Sequence, residues 1–285
     1  MKRIAFIFLL IFSFLPVLAQ HGPVIISSED SLYIEKLLHL NIQTDDINEY
    51  ISFYAKQLHN IPYAGGTLDI LPEECLIVNV HKLDCTTFIE TVLALSITKQ
   101  CGKCAVSDYE KALQRARYHD GVINGYGSRL HYFSDWIWDN SRKGIVQEIS
   151  PAHSSDKIPL ELYFMSENAD KYPLLKGNSS AIAQIREHEQ NLSGDSAAYI
   201  PKEKLFHADL SWIKDGDIIA ITTGRPGLDI THVGIACVIN GAVHLTHASL
   251  KEHKVVTEPI SLATYLSRNN LQTGIRVIRA LNQRP

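Results

Sequence analysis

An α+β fold is predicted by three observations. Helical periodicities follow one another through the first half of the 285-residue chain, strand-like patterns dominate after residue 217, and an Asn-Gly turn joins two of those strands. This segregation points to helices packed on an antiparallel sheet rather than to repeating βαβ units. Internal repeats and low-complexity tracts are absent from the sequence.

The N-terminus reads as a targeting segment. Lys2 and Arg3 precede a largely apolar run over residues 4–15, and Val17-Leu18-Ala19 puts small or modest residues where a signal peptidase reads them. Residues 1–19 are therefore expected to be a secretory signal, the other reading being an uncleaved anchor. The run is short for a permanent span, and no later segment is apolar enough to cross a bilayer. An exported, periplasmic protein without a stable membrane span is expected, with residues 20–285 forming one domain.

Helices are predicted over residues 32–40, where Tyr33, Leu37 and Leu40 share a face, and over residues 47–58, capped by Asp45 or Asp46. A glycine-bearing turn follows at Pro62-Tyr63-Ala64-Gly65-Gly66, then a short strand over residues 76–80. Further helices are expected at 85–98, 107–119, 133–144 and 180–191. Ser107 and Glu110 have the spacing of a capping box. Residues 145–199 read as an insertion of short strands, prolines and loops around the last of these helices. Strands are expected at 217–223, 231–239, 242–248, 254–257 and 274–279.

Hydrophobic residues make up 45% of the chain, an ordinary globular value. Without Lys2 and Arg3, 25 basic residues face 31 acidic ones, a net charge of −6. A mildly acidic surface gives no electrostatic reason to bind nucleic acid. Five cysteines are an odd number, so at least one thiol stays free even in an oxidising compartment.

Cys85 is the candidate nucleophile. Asp84 can cap the helix that Cys85 opens, leaving the thiol in the first turn, where free N–H groups and the helix dipole favour a thiolate. A buried structural cysteine is the alternative. A base comes from the hairpin. With Asn240 and Gly241 as its turn, Ile239 faces Ala242, Gly234 faces His247 and His232 faces Ser249. His232 and His247 then lie on one face as diagonal neighbours, about 7–8 Å apart at the backbone. One imidazole can take the thiol proton while the other orients it. Gly234 and Ala236 on that face leave room for the Cys85 helix. His244 and Cys237 fall on the opposite face. Zinc ligation by the two histidines is the alternative, without an evident third ligand.

Arg129-Leu130-His131-Tyr132-Phe133-Ser134-Asp135-Trp136 combines a cation, hydroxyls and aromatics. Arg129 and Ser134 in that run can bind a sugar or a carboxylate; the run can equally be a helix start. Asp229, just before Ile230-Thr231-His232, can reach a ligand from its loop or sit in a solvated turn. Cys101-Gly102-Lys103-Cys104 has redox spacing but follows a helix instead of opening one, which favours a structural disulfide or two plain thiols.

Taken together, Pro62-Tyr63-Ala64-Gly65-Gly66-Thr67, Asp84-Cys85, His232-Val233-Gly234-Ile235 and His247-Ala248-Ser249 resemble the NlpC-type cell-wall hydrolases, which have a papain-like fold. The runs at 83–90, 215–221 and 227–235 resemble the AmiA-like branch, N-acetylmuramoyl-L-alanine amidases. The resemblance implies Cys85 as nucleophile, His232 as base and then acid, His247 as orienter, and Tyr63 lining the site. It implies peptidoglycan or its muropeptide fragments as substrate, and no metal or organic cofactor. A D,L-endopeptidase acting within the stem peptide would use the same residues. A noncatalytic peptidoglycan-binding module on the same fold is the third reading.

Overall fold

The computed structural model describes residues 23–283, so the signal at 1–19 lies outside the described residues. Strand β1 (Val24–Ile26) leads into helices α1 (Ser28–Leu38) and α2 (Ile47–Gln57), and β2 (Leu76–Val78) pairs with β1 in parallel. Helices α3 (Cys85–Gln100), α4 (Val106–Arg117) and α5 (Phe133–Arg142) follow. The 145–199 stretch holds β3 (Val146–Glu148), β4 (Lys157–Pro159), α6 (Phe164–Glu167), α7 (Ser179–Leu192) and β5 (Ser196–Ala198). The chain ends with β6 (Ile200–Pro201), β7 (Ile218–Thr223), β8 (Ile230–Ile239), β9 (Ala242–Ser249), β10 (Lys254–Thr257), α8 (Leu262–Ser267) and β11 (Gln272–Ala280).

The main sheet runs β10-β9-β8-β7-β11-β3, with β6 on β11, and its pairings are antiparallel. The Asn240-Gly241 turn sets the hairpin as its chemistry dictates: both residues have positive φ, 52° and 79°. The ladder pairs Ile239 with Ala242 and continues to Ile235 with Thr246, where it stops. The two facing pairs expected beyond that point, Gly234–His247 and His232–Ser249, fall past the end of the ladder.

Strand alternation divides the sheet into two apolar faces. Ile218, Ala220, Val233, Ile235 and Ala248 pack with α2 and with Phe88, Ile89 and Val92 of α3. Ile219, Ile221, Ala236, Val243, Leu245 and Ile275 pack with Leu262 and Leu266 of α8. Helix α3 therefore covers the Val233 face, not the face of Gly234 and Ala236 where room for it was expected. The space over Gly234 is filled from within the sheet: a Cβ there would meet Leu245 Cδ1 at 2.6 Å and Thr246 O at 2.9 Å. The small residue lets the hairpin close on itself.

Capping agrees with the sequence at two helices and differs at a third. Asp46 caps α2, accepting from Asn48 N–H, and Asp84 caps α3. Helix α4 begins one residue earlier than expected, after Ala105, so Ser107 is inside the first turn and forms no capping box. A third cluster, with Tyr126, Tyr132, Leu162, Met165, Leu175 and Ile185, ties the insertion to the segment leading into α5. No helix among the described residues is long and apolar enough to cross a membrane.

Candidate active site

Cys85 is held at a fixed point by its neighbours in sequence. The Asp84 carboxylate accepts from Thr87 N–H at 2.8 Å while Thr87 Oγ1 accepts from Asp84 N–H at 2.9 Å, a reciprocal box that fixes the first turn of α3. Just upstream, Leu83 N–H donates to Pro62 O at 3.0 Å and Ala64 N–H to Leu83 O at 3.2 Å. Tyr63 N–H donates to His253 O at 2.9 Å. The Tyr63 turn is thereby clamped between the segment entering α3 and the β9–β10 connection. Tyr63 and Cys85 are close enough to interact electrostatically, and burial, then the charges at Cys85 and Asp84, push the phenol up from its usual range.

The sulfur of Cys85 meets β8 where the hairpin ladder has ended. Val233, beyond the last β8–β9 pair, directs its N–H at the sulfur, joined by the N–H and hydroxyl of Thr86. Residue 232 is thus adjacent in the chain to the residue whose N–H faces the Cys85 sulfur. A bulge in the β7–β8 pairing, which matches His232 with Ile221 but Ile230 with Thr222, reorients this stretch.

The histidines meet although the regular ladder does not reach them. His232 Nε2 lies 2.5 Å from His247 Nδ1, with the rings edge to face. His247 Nε2 lies 3.0 Å from Glu258 Oε1. Because the carboxylate accepts, His247 carries its proton on Nε2 and presents Nδ1 as an acceptor. His232 must then carry its proton on Nε2, which leaves His232 Nδ1 as a free base. Tyr265 of α8 packs edge-on against His247 at 5.5 Å.

Burial favours the neutral forms of the Cys85 thiol and the two imidazoles. Burial pushes the Cys85 thiol up to about 11, with the Asp84 charge acting in the same direction and the Val233 and Thr86 hydrogen bonds opposing it. The helix N-terminus thus does not yield the lowered thiol pKa expected from sequence, because desolvation of the thiolate outweighs those donors. Burial lowers His232 to about 4. Burial, then the neighbouring His232, lowers His247 to about 3. Glu258 is raised, first by burial.

The other candidates lie apart. Arg129 is buried and engaged by Glu74 at 2.7 and 3.1 Å, by Asp69 at 2.8 Å and by Leu68 O at 3.3 Å. Its guanidinium anchors the loop before β2 and stacks on Tyr126, so it is not turned toward a ligand. Ser134 and Asp229 do come together: Ser134 N–H donates to Asp229 Oδ2 at 2.6 Å, and Arg276 donates to Ser134 Oγ at 2.5 Å. Arg276 is held in a fork by Glu148 at 2.7 and 2.9 Å. Asp229, buried, keeps Oδ1 without a hydrogen-bond partner among the described residues. Asp229 and Arg276 line a cleft of about 270 Å³ with Thr222, Thr273, Tyr199 and Ile230. The cleft begins two residues before His232 on β8 and is walled by the insertion; Cys85 and His247 do not line it.

Three participants escaped the sequence reading. Glu258 follows β10, and pairing β10 on β9 puts Val256 beside His247, so that Glu258 falls on the same side. That register was the available signal. Tyr265 and Arg276 had none, since each depends on a nonlocal approach. His244 lies off the relay, as the hairpin alternation indicated, but its Nδ1 donates to Glu258 O at 2.9 Å and so braces the relay's end. Cys101 and Cys104 are free thiols.

Fold and site together define an α+β protein with a helix-borne cysteine beside a carboxylate-backed histidine pair. The chain belongs to the AmiA-like family, described as N-acetylmuramoyl-L-alanine amidase-like, whose profile matches residues 54–275. A crystal structure of an N-acetylmuramoyl-L-alanine amidase from Bacteroides uniformis is 40% identical, with a TM-score of 0.79 over 82% of this chain and 98% of that one. A putative xylanase from Bacteroides fragilis is 44% identical, with a TM-score of 0.76 over 79% of this chain and 98% of that one. A Legionella pneumophila protein at 23% identity and a TM-score of 0.67 shares the fold. No curated protein sequence matches the chain.

Proposed function

We propose that the protein hydrolyses the amide joining N-acetylmuramic acid to L-alanine in peptidoglycan or its fragments, with Cys85 as nucleophile on a papain-like, NlpC-type scaffold. The observation that carries this reading is the Glu258–His247–His232 chain, which ends in a free imidazole nitrogen one residue from the N–H that touches the Cys85 sulfur. The family match supports the choice of bond. A glycosidase would require a pair of carboxyl groups free to flank a sugar linkage. Around Cys85, Glu258 is bound to His247 and Asp84 is consumed by the α3 cap, which favours acyl transfer over xylan cleavage at this centre.

In this mechanism His232 Nδ1 takes the thiol proton as Sγ attacks the lactyl carbonyl carbon. Transfer concerted with attack suits groups that rest neutral, since a separated thiolate–imidazolium pair is disfavoured by burial. The Cys85 N–H at the start of α3 and the Tyr63 hydroxyl stabilise the oxyanion. Collapse expels the alanine nitrogen, which receives the proton from His232, and leaves a muramyl thioester on Cys85. Water then gives a proton to His232 and attacks the thioester, releasing the muramic acid carboxyl as the proton returns to sulfur. His247 and Glu258 hold the tautomer and spread the transient positive charge.

The cleft beside His232 receives the substrate. The unpartnered Asp229 Oδ1 suits an amide N–H of the substrate, since a buried acceptor left unpaired is costly. Mass spectrometry of N-acetylmuramoyl-tripeptide after incubation tests the reading. Release of an intact peptide beginning with L-alanine, with no cleavage of the sugar-free peptide, is expected. Cleavage of the free peptide after D-glutamate at a comparable rate would replace this reading with the endopeptidase one.

A further inference from the structure

We infer that His119, Asp135 and His188 form a binding site for one divalent transition-metal ion of the zinc class, which pins the insertion helix α7 to the core. The site is separate from the cysteine centre, and the inference stands whether or not the amidase reading does. His119 sits in the turn after α4, Asp135 in the first turn of α5 and His188 on α7. A ligand atom from each of the three lies within 4.8 Å of the others.

The contacts among them are not those of a settled hydrogen-bond cluster. His119 Nε2 is 2.9 Å from Asp135 Oδ2, yet it is buried and makes no hydrogen bond, because the approach is poorly directed. The two imidazoles stack face to face, centroids 3.8 Å apart and planes 10° apart, which keeps a nitrogen of each near the Asp135 carboxylate. Two imidazoles and a carboxylate are a donor set for zinc, with bonds of about 2.0–2.2 Å and water in a fourth position. Tetrahedral bonds of that length place ligand atoms about 3.3 Å apart with the ion in both ring planes, so the half-buried His188 has to turn out of the stack to close the site.

The position gives such an ion a structural consequence. Asp135 is the residue after Ser134, whose N–H and hydroxyl engage Asp229 and Arg276 at the floor of the cleft. An ion joining α7 to α5 would hold the insertion wall and the cleft floor together.

Zinc stoichiometry, measured on the mature chain after chelator treatment and reloading with Zn²⁺ alone, tests this. The same measurement is made on His188→Gln and Asp135→Asn, with circular dichroism as a check on folding, and on Cys85→Ala. One tightly held equivalent is expected in the unaltered chain and in Cys85→Ala, lost in the other two variants. Zinc should also raise the Tm of the unaltered chain and not that of His188→Gln. Co²⁺ in place of zinc should give visible d–d absorption that His188→Gln lacks. An unaltered chain that holds no equivalent, an equivalent lost with Cys85, or one retained by His188→Gln would each overturn the inference.

Discussion

His232 and His247 stand 15 residues apart on adjacent strands, yet their Nε2 and Nδ1 atoms are 2.5 Å apart, at the place where the hairpin's regular pairing has already ended. The loss of pairing has two effects. It frees the rings to meet edge to face, and it leaves the Val233 N–H for the Cys85 sulfur. A single departure from ladder geometry thus assembles both halves of the site.

The relay predicts a ranking. His232→Ala removes the proposed base and should lower kcat/KM by about 10²–10⁴-fold. His247→Ala and Glu258→Gln should fall below that, with Glu258→Gln the milder, because each acts by fixing a tautomer. His244→Gln should cost stability with little loss of kcat, since its ring braces only the Glu258 backbone. Steady-state kinetics on folded variants check the order; a larger kcat loss at His244 than at His247 would contradict it.

The thiol predicts its own reactivity profile. With Cys85 pushed up to about 11, alkylation by iodoacetamide should keep accelerating above pH 9, with no plateau near neutrality. Peptide mapping of Cys85 across a pH series reads this directly. A rate already level at pH 7 would show that substrate-free enzyme holds a thiolate.

Acid should destabilise the protein through His232 and His247. Their folded pKa values, about 4 and about 3, lie below the unfolded value near 6.5, so the unfolded chain binds more protons between these limits. The stability they permit is fully present above pH 6.5 and is lost as pH falls toward 3. Urea titrations at pH 7 and pH 5 should show a lower midpoint at pH 5. His232→Phe, which cannot titrate, should show a smaller drop over the same interval.

Gly234 and Asp229 predict separable defects. Gly234→Ala places a methyl group against Leu245 and the Thr246 carbonyl and should cost about 1–3 kcal/mol, seen as a lower Tm. Asp229→Asn keeps the shape of the cleft but alters the acceptor proposed for substrate. It should raise KM about tenfold with a much smaller change in kcat, if one hydrogen bond to a charged group is lost.

The legible part of the site was the part set by short-range rules. Asp84 as cap, Cys85 as first helical residue, and the hairpin register through Asn240-Gly241 follow from local backbone chemistry, and the structure has all three. What failed depended on distant partners. The Cys85 helix lies on the other face of the sheet because Leu245 occupies the space over Gly234. Arg129 looked like a free cation because Glu74 and Asp69 reach it from more than fifty residues away. The thiol pKa depends on how much water the fold excludes, which a helix start alone does not encode.

The proposed mechanism requires an acyl-enzyme at Cys85 that carries the sugar side of the bond. Rapid-quench intact-mass analysis of the protein mixed with N-acetylmuramoyl-tripeptide, followed by peptide mapping, measures both the residue and the fragment. An adduct on Cys85 with the mass of the N-acetylmuramyl group, absent in Cys85→Ala, is the predicted result. An adduct carrying L-alanyl-D-glutamate, or full turnover by folded Cys85→Ala, would contradict it.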